Sequence, residues 1–389
     1  MGGFSLSAPK GPDASFFDKV PVSALVQVSW TATKNTGTDD ATEENFPRNR
    51  ETILQAAGLY YGGKIFDNLG ALVQYNYDGI ERQWGMEMFD MRYGNNTTIA
   101  DKGLSWGVSM NNAPTLSDIY NSTPIWNFPH TGSAAIMPVA STLIDMTLAS
   151  QVGGVTVYGL WDDTLYAELG AYRSANRGFF RFMGLGVPTD TVVNGTAPYW
   201  RLALQKQTGA HSFEVGTYGM VAKIFADSVD QSLGSNRFRD VALDAQYQYI
   251  TEDHQVSSHA TWIHEKQDWN ASFDQGLSSS PSTTLKTFRA DVHYFFRRQW
   301  GGGVQYFQTR GDGNELLYNT GEPAMGSANG SPNNKGWLAE LNWLPIQNLK
   351  LAVRYTAYQQ FNGASSNYDG FGRNAKDNNS VFLLAWLLL

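Results

Sequence analysis

Residues 379–389 read NSVFLLAWLLL and close the chain. The nine apolar residues from Val381 onward are too few for a helical membrane span, which takes about 20. They are also too apolar to stand as an open sheet edge. The expected partner is the other end of the chain, residues 22–30. There Ala24, Val26, Val28 and Trp30 alternate with Ser23, Gln27 and Ser29, and Leu25 is out of phase. Period-two alternation is the strand signature. Joining these two ends closes a barrel.

Composition supports that closure. The chain has 389 residues with 39 Gly, 21 Phe, 19 Tyr and 12 Trp, only 16% charged residues and a formal net charge of -8. Hydrophobic residues make up 42%, yet mean hydropathy is negative. Low charge combined with abundant aromatics and uncharged polar residues suits a barrel with a polar lumen and aromatic girdles. Zero Cys excludes disulfides, thiolate metal sites and a CxxCH haem attachment. The acidic balance and the lack of a basic stripe argue against nucleic-acid binding. MGGFSLSAPK has no leader pattern, and an exported precursor would have lost one.

Moving inward from the ends, residues 1–19 read as a flexible arm and residues 20–389 as a single transmembrane barrel. Alternation recurs through the chain. Val241, Leu243, Ala245, Tyr247 and Tyr249 oppose Asp244, Gln246 and Gln248; Phe288, Ala290, Val292 and Tyr294 oppose Thr287, Arg289, Asp291 and His293. Sixteen strands are expected, with the last over 379–389. Short connections near 65–68, 94–102, 162–163, 207–210, 250–254, 297–300 and 345–347 alternate with long ones at 31–53, 112–152, 174–197, 223–237, 268–283, 311–335 and 359–378. The connection at 79–83 is the short exception. The expectation is an all-β fold, a closed 16-stranded antiparallel barrel with short periplasmic turns and long extracellular loops. Closure is required because each unpaired backbone group in lipid costs several kcal/mol.

Segment 112–152 carries Pro114, Pro124 and Pro129, so it is not a central strand. It reads either as an external loop gripping a neighbouring subunit or as a loop folded into the lumen, and the second is the expectation. Asp118, Tyr120, Trp126 and His130 would then form a constriction meeting the solute. Ionisable residues on polar strand faces are the expected lumen charges: Asp90, Arg92, Glu168, Arg201, Asp244, Arg289, Asp291, Lys350 and Arg354, together with Glu265. Glu87 is out of phase with Asp90. These groups either bias ion flow or simply solvate the wall and pair with one another. The acidic run Asp39, Asp40, Glu43 and Glu44 lacks calcium-loop spacing and reads as a solvated loop. The six His residues form no HExxH, there is no G-x-S-x-G elbow, and Gly301 to Gly303 has no following helix. No catalytic residue, metal or cofactor is expected.

This layout resembles the general bacterial porins: sixteen strands, a long third surface loop and a last strand paired with the first. The resemblance implies homotrimers in outer-membrane lipid, an inward third loop, and passive diffusion of small hydrophilic solutes or ions. Family members usually end in Phe, whereas this chain ends in Leu389. A second likeness lies in Tyr61-Gly62-Gly63-Lys64, Phe89-Asp90-Met91-Arg92-Tyr93, and Asn112-Ala113-Pro114-Thr115-Leu116-Ser117-Asp118 with Thr123-Pro124. These segments resemble barrels of iron-oxidising bacteria, some linked to a small c-type cytochrome. That likeness implies the alternative of a sheath for electron transfer, with the haem on a separate c-type cytochrome partner. The final strand is apolar on both faces, and sequence leaves open whether Val381, Leu383 and Ala385 or Phe382, Leu384 and Trp386 turn inward.

Overall fold

A computed structural model describes residues 22–34, 49–79, 82–133, 135–174 and 191–389. The expected N-terminal arm and the acidic run around Asp39 lie outside the described residues. The strands, in chain order, are β1 (Val22–Ala32), β2 (Thr52–Phe66), β3 (Leu69–Asp78), β4 (Gln83–Ile99), β5 (Lys102–Asn111), β6 (Val152–Trp161), β7 (Leu165–Ser174) and β8 (Ala197–Thr208). They continue as β9 (His211–Phe225), β10 (Ser235–Ile250), β11 (His254–Asp268), β12 (Ser282–Phe296), β13 (Trp300–Gly311), β14 (Asn334–Ile346), β15 (Leu349–Gln360) and β16 (Ser380–Leu388). Each pairs antiparallel with its neighbours in sequence, and β16 pairs with β1 from Leu25↔Leu388 to Ala32↔Val381, closing the barrel.

The turns follow from local chemistry. Asp162 and Asp163, expected as a two-residue turn, both adopt positive φ, as do Arg297 and Arg298. That is the geometry whose twist matches two antiparallel strands. Residues 94–102 differ from expectation: β4 runs on to Ile99 and the chain reverses at Ala100 and Asp101. Asn95 and Thr97 pair with Trp106 and Leu104, so the polar run GNNTT hides a strand. Likewise β14 continues through Pro345, where the register with β15 breaks between Trp343 and Ile346. A break in the ladder is where a strand tolerates a proline.

The wall is apolar outside and polar inside. On β10, Val241 and Leu243 are 47% and 54% exposed, while Asp240 and Asp244 are buried. On β14, Leu341 is 72% exposed between buried Glu340 and Asn342. Burying one such apolar side chain is worth ~1.5–3 kcal/mol, so a whole wall of them turned outward requires a hydrocarbon solvent. No helix among the described residues is long and apolar enough to cross a membrane; the crossing is made by strands. In β16, Phe382 and Leu384 are buried and pack with Ala352 and Trp386, whereas Leu383 is exposed. The set Phe382, Leu384 and Trp386 is therefore the inward one.

Candidate functional site

Segment 112–152 is the centre of the interior. Its first stretch is folded by Asp118, whose carboxylate accepts from the Tyr120, Ser122 and Thr123 backbone N–H groups at 3.0, 3.0 and 3.1 Å and from Thr123 Oγ1 at 3.0 Å. Trp126 Nε1 donates to the Leu116 carbonyl at 3.2 Å, closing this turn. The compact unit leans on β4, β7, β8 and β10. Arg92 donates to the Leu116 carbonyl (3.3 Å) and Ser117 Oγ to Glu168 (2.5 Å), while Ser122 Oγ donates to Asp244.

Arg201 is the hub of that contact. It is fully buried, with its guanidinium 2.7 Å from Asp244, 3.3 Å from Glu214 and 3.4 Å from Asp118. Tyr120 and Tyr218 flank it at 5.5 and 5.4 Å. One cation faces three carboxylates here. Such clusters persist only when geometry and extra hydrogen bonds offset desolvation, and Arg201 also donates to Ser122 Oγ at 3.1 Å.

A second stretch of the segment docks on β10, β11 and β12. The Leu143 N–H donates to Glu265 at 2.6 Å and the Ile144 N–H to Asp240 at 2.8 Å. Arg289 grips Asp145 with two bonds of 2.8 and 2.5 Å. Leu143, Ile144 and Leu148 then pack with Tyr172, Tyr199, Tyr218, Met220, Phe238 and Ile263 in one apolar core. That core lies on the inner face of β6 to β11, so this half of the interior is filled.

The middle of the segment crosses to the opposite wall. Gln27 donates to Thr131 Oγ1 (3.2 Å), Gln305 to the Phe128 carbonyl (2.5 Å) and Arg354 to the Thr131 carbonyl (2.6 Å). Arg354 is held by Glu340 at 2.7 Å and lies between Phe128 (5.5 Å) and Phe382 (4.9 Å). The inward aromatic of the final strand thus reaches the segment through a guanidinium. Lys350 joins Glu340 at 3.1 Å. Asp291 accepts from His259 at 2.9 Å and lies 3.2 Å from His293, whose ring packs edge-on to Phe128 at 4.4 Å.

The four loop residues singled out from sequence therefore separate. Asp118 and Tyr120 are buried, Trp126 is half-buried, and His130 is open to water. His130 is exposed, yet desolvation within the ring of strands, together with Lys350, pushes its pKa down to about 4. Among the lumen charges, Asp90 pairs with Arg92 and accepts from Ser109 at 2.6 Å. Arg201 and Asp244 meet, Lys350 and Arg354 share Glu340, and Arg289 and Asp291 have separate partners.

Glu87 resolves its phase conflict through a register shift opposite Gln74 and Tyr75. The bulge lets its carboxylate accept from Gln74 at 2.6 Å and from Asn76, while it stays open to water. Sequence reading missed Asp145 and Ser122 as anchors, because an Asp and a Ser in an aperiodic segment carry no positional signal. Asp240 was findable, since it shares strand parity with Asp244. Among the described residues no group of three His, Cys, Asp or Glu has geometry that holds a metal.

No protein-family model matches the chain, and no curated protein matches it. Solved structures do. The outer-membrane channel DcaP of Acinetobacter baumannii is similar over 95% of this chain and 97% of its own, at 11% identity and a TM-score of 0.54. OmpF of Salmonella typhi, in complex with daunomycin, is similar over 95% and 97%, at 14% identity and a TM-score of 0.53. At such identities the likeness is one of fold. The chain is a closed 16-stranded antiparallel barrel whose fold resembles those of bacterial outer-membrane porins, and its apolar exterior suits a β-barrel set in lipid.

Proposed function

We propose that the chain is a porin for passive diffusion of small hydrophilic solutes or ions. The observation that carries this reading is the divided interior. Segment 112–152 is bonded to β7, β8, β10, β11 and β12 on one side and reaches β1, β13 and β15 on the other. On the sector from β12 round to β4, Glu87 is exposed and Arg92, Arg289, His293 and Lys350 are half-buried, and His130 of the segment is exposed beside them. The solute passes the exposed Glu87 and His130, and residues 127–139 form the constriction. Fixed charges along the route bias ion flow through their local field. No bond is made or broken. Loops face outward, turns face the periplasm, and three copies associate in the membrane.

The test is planar-bilayer recording from the purified chain across a salt series. Stepwise currents, grouped in threes and enlarged when 127–139 is replaced by a short Gly-Ser linker, are the expected result. Enlarged steps are required, because a constriction that can be removed without effect is none. Silence from correctly inserted protein sinks the open-pore reading and leaves the alternative, a sheath for a separate c-type cytochrome, to be tested by its binding.

A further inference from the structure

The outer wall carries a pattern that diffusion through the lumen does not use. Near the loop end of β9 to β14, cations face outward on successive strands. The register sets like charges directly opposite one another: Lys223 with Arg237, Arg239 with Lys266, and Lys286 with Arg310. Opposed like charges across a strand pair are destabilising. Lys335 on β14 extends the row, opposite Gln308.

The counter-charges are few. Asp268 is tied to Arg239, and Asp312 accepts from the Thr284 N–H and hydroxyl at 2.8 Å each. Among the described residues, no carboxylate lies within ion-pair distance of Lys223, Arg237, Lys266, Lys286 or Arg310. All five are exposed. The row is also one-sided: within the remaining strands, Arg173 is the one cation that faces outward at the loop end. A chain of net charge -8 has gathered a cationic belt on one arc of its wall.

Height identifies what the belt meets. From Lys286 to Phe296, and from Arg310 to Trp300, the strands run eleven residues. A tilted strand crosses the hydrocarbon in about 9–11 residues. Phe296 and Trp300 are exposed at the turn end, and Trp262, Phe288, Tyr306 and Trp337 form a second aromatic band just below the cations. Aromatic residues mark the two interfaces of a membrane-spanning wall. The belt therefore stands one hydrocarbon thickness from the turn-end interface, at the level of lipid headgroups on the loop side.

We propose that this arc of β9 to β14 is a docking belt for phosphate-bearing lipid headgroups of the loop-side leaflet. Phosphates seated between opposed cations relieve their repulsion while the acyl chains lie along Val241, Val292 and Val304. Long Lys and Arg stems suit this place, since they lie on apolar wall and lift their charge into the headgroup layer.

The test is retention of defined lipids by the purified full chain in detergent, read by native mass spectrometry. The probes are a bis-phosphorylated lipid A, phosphatidylglycerol, phosphatidylcholine and inorganic phosphate. The triple variant Lys266→Gln, Lys286→Gln, Arg310→Gln is compared with Arg298→Gln at the turn end. The belt gives preferential retention of the two anionic lipids and about a hundred-fold loss in the triple variant, at about 1 kcal/mol per cation near an anionic surface. Arg298→Gln retains them. Thermal stability of the triple variant without anionic lipid does not fall, which separates lost binding from lost folding. Equal retention by the triple variant, or equal retention of phosphatidylcholine, overturns the proposal. Inorganic phosphate competing as tightly as lipid overturns it too, by reducing the belt to an ion site. The readout is independent of conductance, so it stands or falls apart from the pore.

Discussion

The two halves of the barrel interior obey different rules. Between β6 and β11 the inner face is packed like the core of a soluble protein, with Ile144 and Leu148 against Tyr199, Tyr218 and Ile263. The charges there, Arg201 and its three carboxylates, are cut off from water. Between β12 and β4 the inner face is lined instead by polar groups, Asp291, Gln305, Glu340 and Arg354 among them, and the segment crossing it is held mainly through Thr131 and Phe128. One half holds the segment through an apolar core, and the other holds it through polar bonds from the wall.

That division is open to attack by mutation. The largest effect is expected from Arg201→Ala, which leaves buried carboxylates without their cation. Breaking a buried pair from one side costs ~3–5 kcal/mol, to be read as a shift in the urea midpoint of the protein in lipid vesicles. Next is Ile144→Ala, in the apolar core of the packed half. Such a truncation costs ~2–5 kcal/mol depending on how far the cavity collapses, and the same unfolding measurement checks it. If either change leaves stability intact, the filled half is not the anchor.

In the polar half the order of effects reverses. Glu87→Gln keeps its amide contacts in kind and is expected to leave stability within ~0.5 kcal/mol. Its effect appears instead in reversal potentials, as a shift toward anions. The smallest effect is that of His130→Asn. With the imidazole titrating at about 4, its proton is absent at neutral pH and binds only as pH falls through that value. Ion selectivity of wild type and variant should coincide above pH 5 and separate below it, wild type becoming the more anion-favouring. Curves that part near pH 7 would show an imidazole more freely solvated than the geometry implies.

Much of the wall was legible beforehand. Alternation on β10, β12 and β15 assigned Asp244, Asp291 and Arg354 to the polar face, because a two-residue period is a property of a strand alone. Where a bulge shifts the phase, as at Glu87, that local rule fails, since the register belongs to two strands at once. The polar run 94–99 was misjudged for a related reason. Gly, Asn and Thr look like a turn until β5 supplies the partner.

The sequence by itself determined strand number, strand faces and the pairing of the two ends, all carried by short-range pattern. It also determined that the wall needs a lipid solvent. Only the tertiary structure decided which half of the interior is filled and which face of the final strand turns inward. The bonds responsible join residues far apart in the chain: Ser122 to Asp244, Leu143 to Glu265, Arg354 to Thr131. No periodicity within one strand encodes such a meeting. It arises when closure of the ring brings distant polar groups to one level, and each buried donor must find an acceptor there.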